Sequence, residues 1–134
     1  MRKRLQDRVW RRAQDTCEYC RMPSRFYRTP FHIDHIVARQ HGGATTSDNL
    51  ALACFHCNLH KGTNVAGIDP HTGLLTRLYH PRHDRWDDHF EWKGPRLEGL
   101  TDVGRTTISL LAINDPAYVT VRTALIEEHV FLKR

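Results

Sequence analysis

Two Cys-x-x-Cys pairs, Cys17-Glu18-Tyr19-Cys20 and Cys54-Phe55-His56-Cys57, constrain this chain more than any other feature. Structural zinc favours four thiolate or imidazole ligands in a tetrahedron, and each pair presents two sulfurs from one tight turn. The 33 residues between Cys20 and Cys54 exceed the spacing of a simple zinc finger. The insert must then be a folded excursion whose ends the metal joins. Two redox-active dithiols are the alternative. Neither pair sits in a βαβ setting, and neither Cys20 nor Cys57 is followed by the histidine of a haem attachment motif. The expectation is one structural Zn²⁺ shared by Cys17, Cys20, Cys54 and Cys57, with His56 as an alternative for one thiolate.

The rest of the chain sets the context for that knot. At 134 residues it is expected to form one globular unit. Residues 1–66 would make the core with its N-terminal helix, and residues 67–134 an extension packed on it. The first sixty residues alone would struggle to bury a core without a metal. No apolar run approaches the ~18 residues needed to cross a bilayer. No hydrophobic signal core follows the charged Met1-Arg2-Lys3-Arg4-Leu5. A cytoplasmic protein with no membrane partner is the expectation, and a reducing compartment favours metal ligation over disulfides.

Charge is unevenly placed. The net charge is +5, yet residues 1–28 hold nine Lys/Arg against three Asp/Glu, and the remainder eleven against twelve. A concentrated basic arm suits a polyanion, most simply nucleic acid; a solvated helix face is the plainer reading. Leu5, Val9 and Ala13 at i, i+4 and i+8 predict a helix over 2–15 with arginines around the rest. Phe31 to Ile36 alternates enough for a strand. Gly42-Gly43 and the Thr/Ser/Asp cluster make 37–48 a loop, 49–53 could pair as a second strand, and a short helix should run from Cys54 to near Gly62.

Inside the bracket lies His32-Ile33-Asp34-His35-Ile36. Adjacent residues on a regular strand point to opposite faces, so Asp34 and His35 cooperate only where the chain bends. An Asp oxygen suits a hard divalent ion, and a neutral imidazole can deprotonate water near pH 7. Phosphodiester cleavage needs both tasks done.

His-x-Asp-His-Ile, then Gly42-Gly43, Asp48-Asn49-Leu50 and Cys54-x-x-Cys57-Asn58-x-x-Lys61-Gly62, resembles the HNH endonuclease family over roughly residues 15–63. The resemblance implies an α+β fold with a ββα-metal, or His-Me finger, core stapled by the four-cysteine zinc site. An N-terminal basic helix and a mainly helical C-terminal extension would complete it. It implies that His35 is the general base, that Asn49 holds the imidazole in orientation and that Asp34 is the metal-binding carboxylate. Asn58 takes the third family position, where many members carry His; this is an HNN-type variant whose amide oxygen can still ligate a hard cation. The implied cofactors are structural Zn²⁺ and one catalytic divalent cation: Mg²⁺, Mn²⁺, Ni²⁺ or Zn²⁺. His32, two residues before Asp34, is a further candidate ligand, a structural histidine or a phosphate donor. Arg4, Arg8, Arg11, Arg12, Arg39 and Lys61 are the candidate nucleic-acid contacts, though Lys61 could equally be a plain surface lysine. The expected partner is DNA, with RNA left open, for a monomer or homodimer. A zinc-stapled nucleic-acid-binding module without cleavage is the rival reading.

The second half is less explicit. A turn at 69–73 precedes a strand over 74–79; Thr101 should cap a helix over 102–113, and Asp115-Pro116 should open a last helix through Leu132. His71, His80, His83 and His89 with Asp84, Asp87 and Asp88 follow no ligand spacing, and Trp86, Phe90 and Trp92 point instead to an aromatic layer. Gly104-Arg105 suggests a packing glycine before a phosphate site.

Overall fold

The computed structural model describes residues 1–131. Helix α1, Lys3–Ala13, buries Val9 from its apolar stripe against the following sheet and leaves Arg4, Arg8 and Arg11 in solvent. It stops where Gln14 and Asp15 turn left-handed, with φ of 54° and 55°. Strands β1, His32–His35, and β2, Leu50–Ala53, pair antiparallel, with Asp34 opposite Ala51 and His35 opposite Leu50. All four residues of β2 are buried, because α1 and α2 both pack on it, which explains its Leu-Ala-Leu-Ala composition. Helix α2, Phe55–Lys61, follows at once, capped by the Cys54 sulfur on the Cys57 N–H and ended by Gly62 at φ 53°. This strand–strand–helix unit is the expected ββα core.

The 37–48 loop contains two 3₁₀ turns, Arg39–His41 and Ser47–Asn49. Gly42 takes φ 88°, and a Cβ on Gly43 would run into the Val37 carbonyl, so each glycine has its own reason.

The extension departs more from expectation. Strand β3, Ala66–Ile68, pairs with β4, Leu75–Arg77, so the expected 66/67 boundary falls inside a strand. Helix α3, Trp86–His89, leads into a hairpin that the sequence did not suggest: β5, Phe90–Lys93, with β6, Arg96–Gly99, turning at Gly94 (φ 59°). Its signal was Phe90 and Trp92 in alternation before Gly94-Pro95, masked by the aromatic clustering. Helix α4, Asp102–Leu110, is capped by Thr101 and ends earlier than expected, before Ala112 at φ 50°. Helix α5, Pro116–Glu127, starts at its Asp115 cap and stops before His129 at φ 60°, short of the expected end at Leu132, which itself lies outside the described residues.

One buried cluster runs from Val9 through both cysteine pairs to Ile113. Trp86 Nε1 donates to the Tyr19 carbonyl (3.0 Å), Arg82 pairs with Glu18, and the Tyr27 and Tyr118 hydroxyls bond at 3.0 Å. Arg122 is buried, donating to the Pro95 and Ile113 carbonyls over the face of Trp92. Trp86, Phe90 and Trp92 form the aromatic layer. A Cβ on Gly104 would strike the His89 carbonyl, so this glycine serves packing, and Arg105 forks onto buried Asp69.

Candidate active site

Four buried cysteines meet where the knuckles face each other. Among the described residues, only Cys17, Cys20, Cys54 and Cys57 bring candidate ligand atoms together, all within 4.8 Å of one another. A tetrahedral zinc with Zn–S of about 2.3 Å requires S···S separations of about 3.8 Å, and Cys20 to Cys54 is 3.8 Å. The Cys20 and Cys57 N–H groups donate to the Cys17 and Cys54 sulfurs, both at 3.4 Å, which favours thiolates. Hydrogen bonds from Cys17, then Cys20 and Cys57, drive the Cys54 pKa down, whereas those with Cys17 lead the upward shifts of Cys20 and Cys57. Such a cluster cannot carry four negative charges unaided. A dication resolves that conflict, so the donor set fits structural zinc. His56 is no ligand: its Nε2 bonds the Ala112 carbonyl at 2.8 Å.

Asp34 and His35 sit at the end of β1, and the structure turns them to different partners. The Asp34 carboxylate, 5% exposed, accepts the Tyr19 hydroxyl on Oδ2 at 2.9 Å. Lys61 Nζ lies 3.1 Å from Oδ2 and 3.3 Å from Oδ1, and donates also to the His35 carbonyl at 3.2 Å. Burial raises the Asp34 pKa, opposed by Lys61 and Tyr19. The His35 imidazole is half-buried, its Nε2 2.8 Å from Thr45 Oγ1.

Asn49 does not touch His35. Its amide clamps the next peptide: Oδ1 accepts the Val37 N–H at 2.9 Å, and Nδ2 donates to the carbonyls of Val37 (3.0 Å) and Ala44 (2.8 Å). Its backbone carbonyl takes the Ile36 N–H. Asn49 is therefore a positioning residue that fixes the chain leaving His35 and the segment bearing Thr45.

Two sequence expectations require correction. Lys61 is 2% exposed and spent on Asp34 and His35, so it cannot reach a phosphate. Arg12 is braced inward, donating to Ser47 O and Oγ and to the Leu50 carbonyl (2.7 Å), which supports the turn that carries Asn49. Arg4, Arg8, Arg11 and Arg39 remain exposed. His32 is exposed with its ring 5.9 Å from Phe55, and has no hydrogen bond to Asp34 among the described residues. Asn58 is half-buried, one turn before Lys61 on α2, and its side-chain amide has no hydrogen-bond partner among the described residues.

A catalytic cation must be tested against these donors. A carboxylate offers about four acceptor directions. Tyr19 and Lys61 fill both on Oδ2 and one on Oδ1, so Asp34 fits a cation through Oδ1 alone. Mg²⁺-like ions keep several waters and need only one or two protein oxygens, so one free direction on Asp34 Oδ1 is compatible with such an ion.

Sequence reasoning missed Thr45 and Tyr19, which meet their partners only through the folded loop and knuckle. Lys61 carried a usable signal: it stands four residues after buried Cys57 on a helix, hence on its inward face.

An antiparallel pair feeding a helix, a histidine ending the first strand and a four-thiol knot around both define a zinc-stapled ββα fold. The family model for HNH endonuclease matches residues 17–64, and this stretch of the chain is an HNH endonuclease domain. No curated protein and no solved structure matches the chain.

Proposed function

We propose that the HNH domain hydrolyses phosphodiester bonds of nucleic acid, DNA foremost, with His35 as general base. The observation that carries this reading is the His35 imidazole, fixed at Nε2 by Thr45 while its Nδ1 has no hydrogen-bond partner among the described residues. With Nε2–H donated to Thr45, the lone pair rests on Nδ1, which takes the proton of the attacking water. Asn49 fixes the loop through which Thr45 and His35 meet. Lys61 and Tyr19 keep the buried Asp34 ionised and aimed. A divalent cation held by Asp34 Oδ1 and Asn58 would supply charge stabilisation at the phosphate and the leaving oxygen. Exposed Arg4, Arg8, Arg11 and Arg39 would meet backbone phosphates.

The test is nicking of plasmid DNA with Mg²⁺, Mn²⁺, Ni²⁺ or Zn²⁺ added, and chelator as control. His35→Ala should lower the rate by about 10²–10⁴, with zinc content, circular dichroism and DNA affinity unchanged. Cleavage retained by that variant would falsify the base assignment. A wild type that binds DNA but cuts no duplex or single strand is the zinc-stapled binding module instead.

A further inference from the structure

Just past His35 the chain enters the wall of a cleft of about 300 Å³ that the extension closes on one side. Ile36 and Val37, the two residues after the base, line it together with Lys61; Arg77, His80 and His83 line it from the β4–α3 segment. These last three lie outside residues 17–64, so the family motif says nothing of them.

The two histidines form a built feature. Their rings stack 3.9 Å apart at an interplanar angle of 5°. His80 Nδ1 accepts the Arg82 N–H at 3.2 Å, which leaves Nε2 of the neutral ring as a donor. Its backbone N–H is pinned to Asp84 Oδ2 (2.9 Å), and Asp84 is itself forked by Arg77 at 2.7 and 3.1 Å. Arg77 is thus spent on shaping the wall, and the imidazoles face the cleft beside it.

Ring geometry limits what the pair can bind. The two rings lie in nearly parallel planes, so their in-plane lone pairs do not converge, whereas a shared metal requires lone pairs that meet at about 2.0–2.1 Å. An N–H from each of two adjacent rings would suit the two unesterified oxygens of one phosphodiester. We propose that His80 and His83 are a phosphate subsite of the cleft next to the nuclease site, gripping a backbone phosphate of the nucleic-acid strand beside the one attacked by the water that His35 activates. The proposal rests on the nuclease reading, but its test does not depend on cleavage.

In the His35→Ala background, binding of a short DNA duplex is measured with His83→Ala, with His80→Gln and with both. Each single change should weaken Kd about tenfold, and His71→Ala, an exposed histidine of the β3–β4 turn outside the cleft, should leave it unchanged. In the active protein, His83→Ala should raise KM by the same factor while kcat stays within about twofold. An unchanged Kd in the double variant, with circular dichroism intact, overturns the subsite whatever the nicking assay shows. A Kd that responds in a protein that cuts nothing supports the subsite and removes the nuclease reading alone.

Discussion

The two ends of α2 handle charge in opposite ways. At its start, four buried sulfurs converge within 4.8 Å, with no cationic side chain among their hydrogen-bond partners in the described residues. At its end, the single Asp34 carboxylate is already met by a tyrosine hydroxyl and an ammonium, with one acceptor direction left. The first is a closed site, whose bound cation is part of the fold. The second is open by one direction, which is what chemistry requires, and its resident cation is a side chain. Seven residues of helix separate a four-thiol set that fits a structural metal from the proposed position of an exchangeable cation.

Attacking the closed end should have the largest effect. Cys57→Ser, or zinc removal by a strong chelator, should unfold the domain outright, since apparent zinc-binding energies of about 10–16 kcal/mol are folding energy in such sites. Metal content and far-ultraviolet circular dichroism, followed together through a chelator titration, check this. Secondary structure that survives complete zinc loss would show that the extension and the β1–β2 sheet hold the fold unaided.

The open end should respond less and differently. Lys61→Met keeps the volume but leaves Asp34 buried without its cation, a change expected to cost about 3–5 kcal/mol. The sign with pH follows from Asp34. Its folded pKa is raised by burial, so ionising it costs stability as pH rises through that value, and Lys61 offsets part of the cost. Without Lys61 the pKa climbs further. The deficit against wild type should therefore be greatest near neutral pH and shrink on acidification as Asp34 takes up a proton. Thermal melts of both proteins at several pH values decide it; a pH-independent deficit would mean that Lys61 acts through packing, not charge.

The same contrast explains what could be read from sequence. The zinc knot was legible because Cys-x-x-Cys is a local device: one tight turn places two ligands whatever surrounds it. His35, Asn49 and Asn58 are candidates named from ordered motifs, while the helix caps at Thr101 and Asp115, read from local hydrogen-bond chemistry, are present in the structure. Tyr19 and Thr45 are different. Nothing near Tyr19 in sequence says that its hydroxyl will reach Asp34, and Thr45 meets His35 only because Asn49 folds the loop back. Arg12 and Lys61 misled for a related reason: an arginine in a basic arm and a lysine closing the motif read as ligands for phosphate, yet both donate to backbone carbonyls that only the tertiary fold brings near. The β5–β6 hairpin was hidden because its strands are amphipathic on an aromatic scale more often met in a packed layer.

The smallest effect should come from Thr45, and it separates aim from assembly at the open end. Thr45 is exposed, and among the described residues its hydroxyl bonds only the imidazole, so its loss should leave the fold intact. Thr45→Val removes the hydroxyl and keeps the branched shape. The ring would then be free to rotate and to exchange tautomers, and the productive Nδ1 lone pair would be present for only part of the time. The rate constant kcat should fall by on the order of tenfold to a hundredfold, with KM unchanged. Thr45→Ser, which restores the hydroxyl but not the methyl, should recover most of the loss. A merely structural threonine would show the opposite preference, tolerating valine and suffering with serine, so the order of the two variants identifies whether the hydroxyl aims the base.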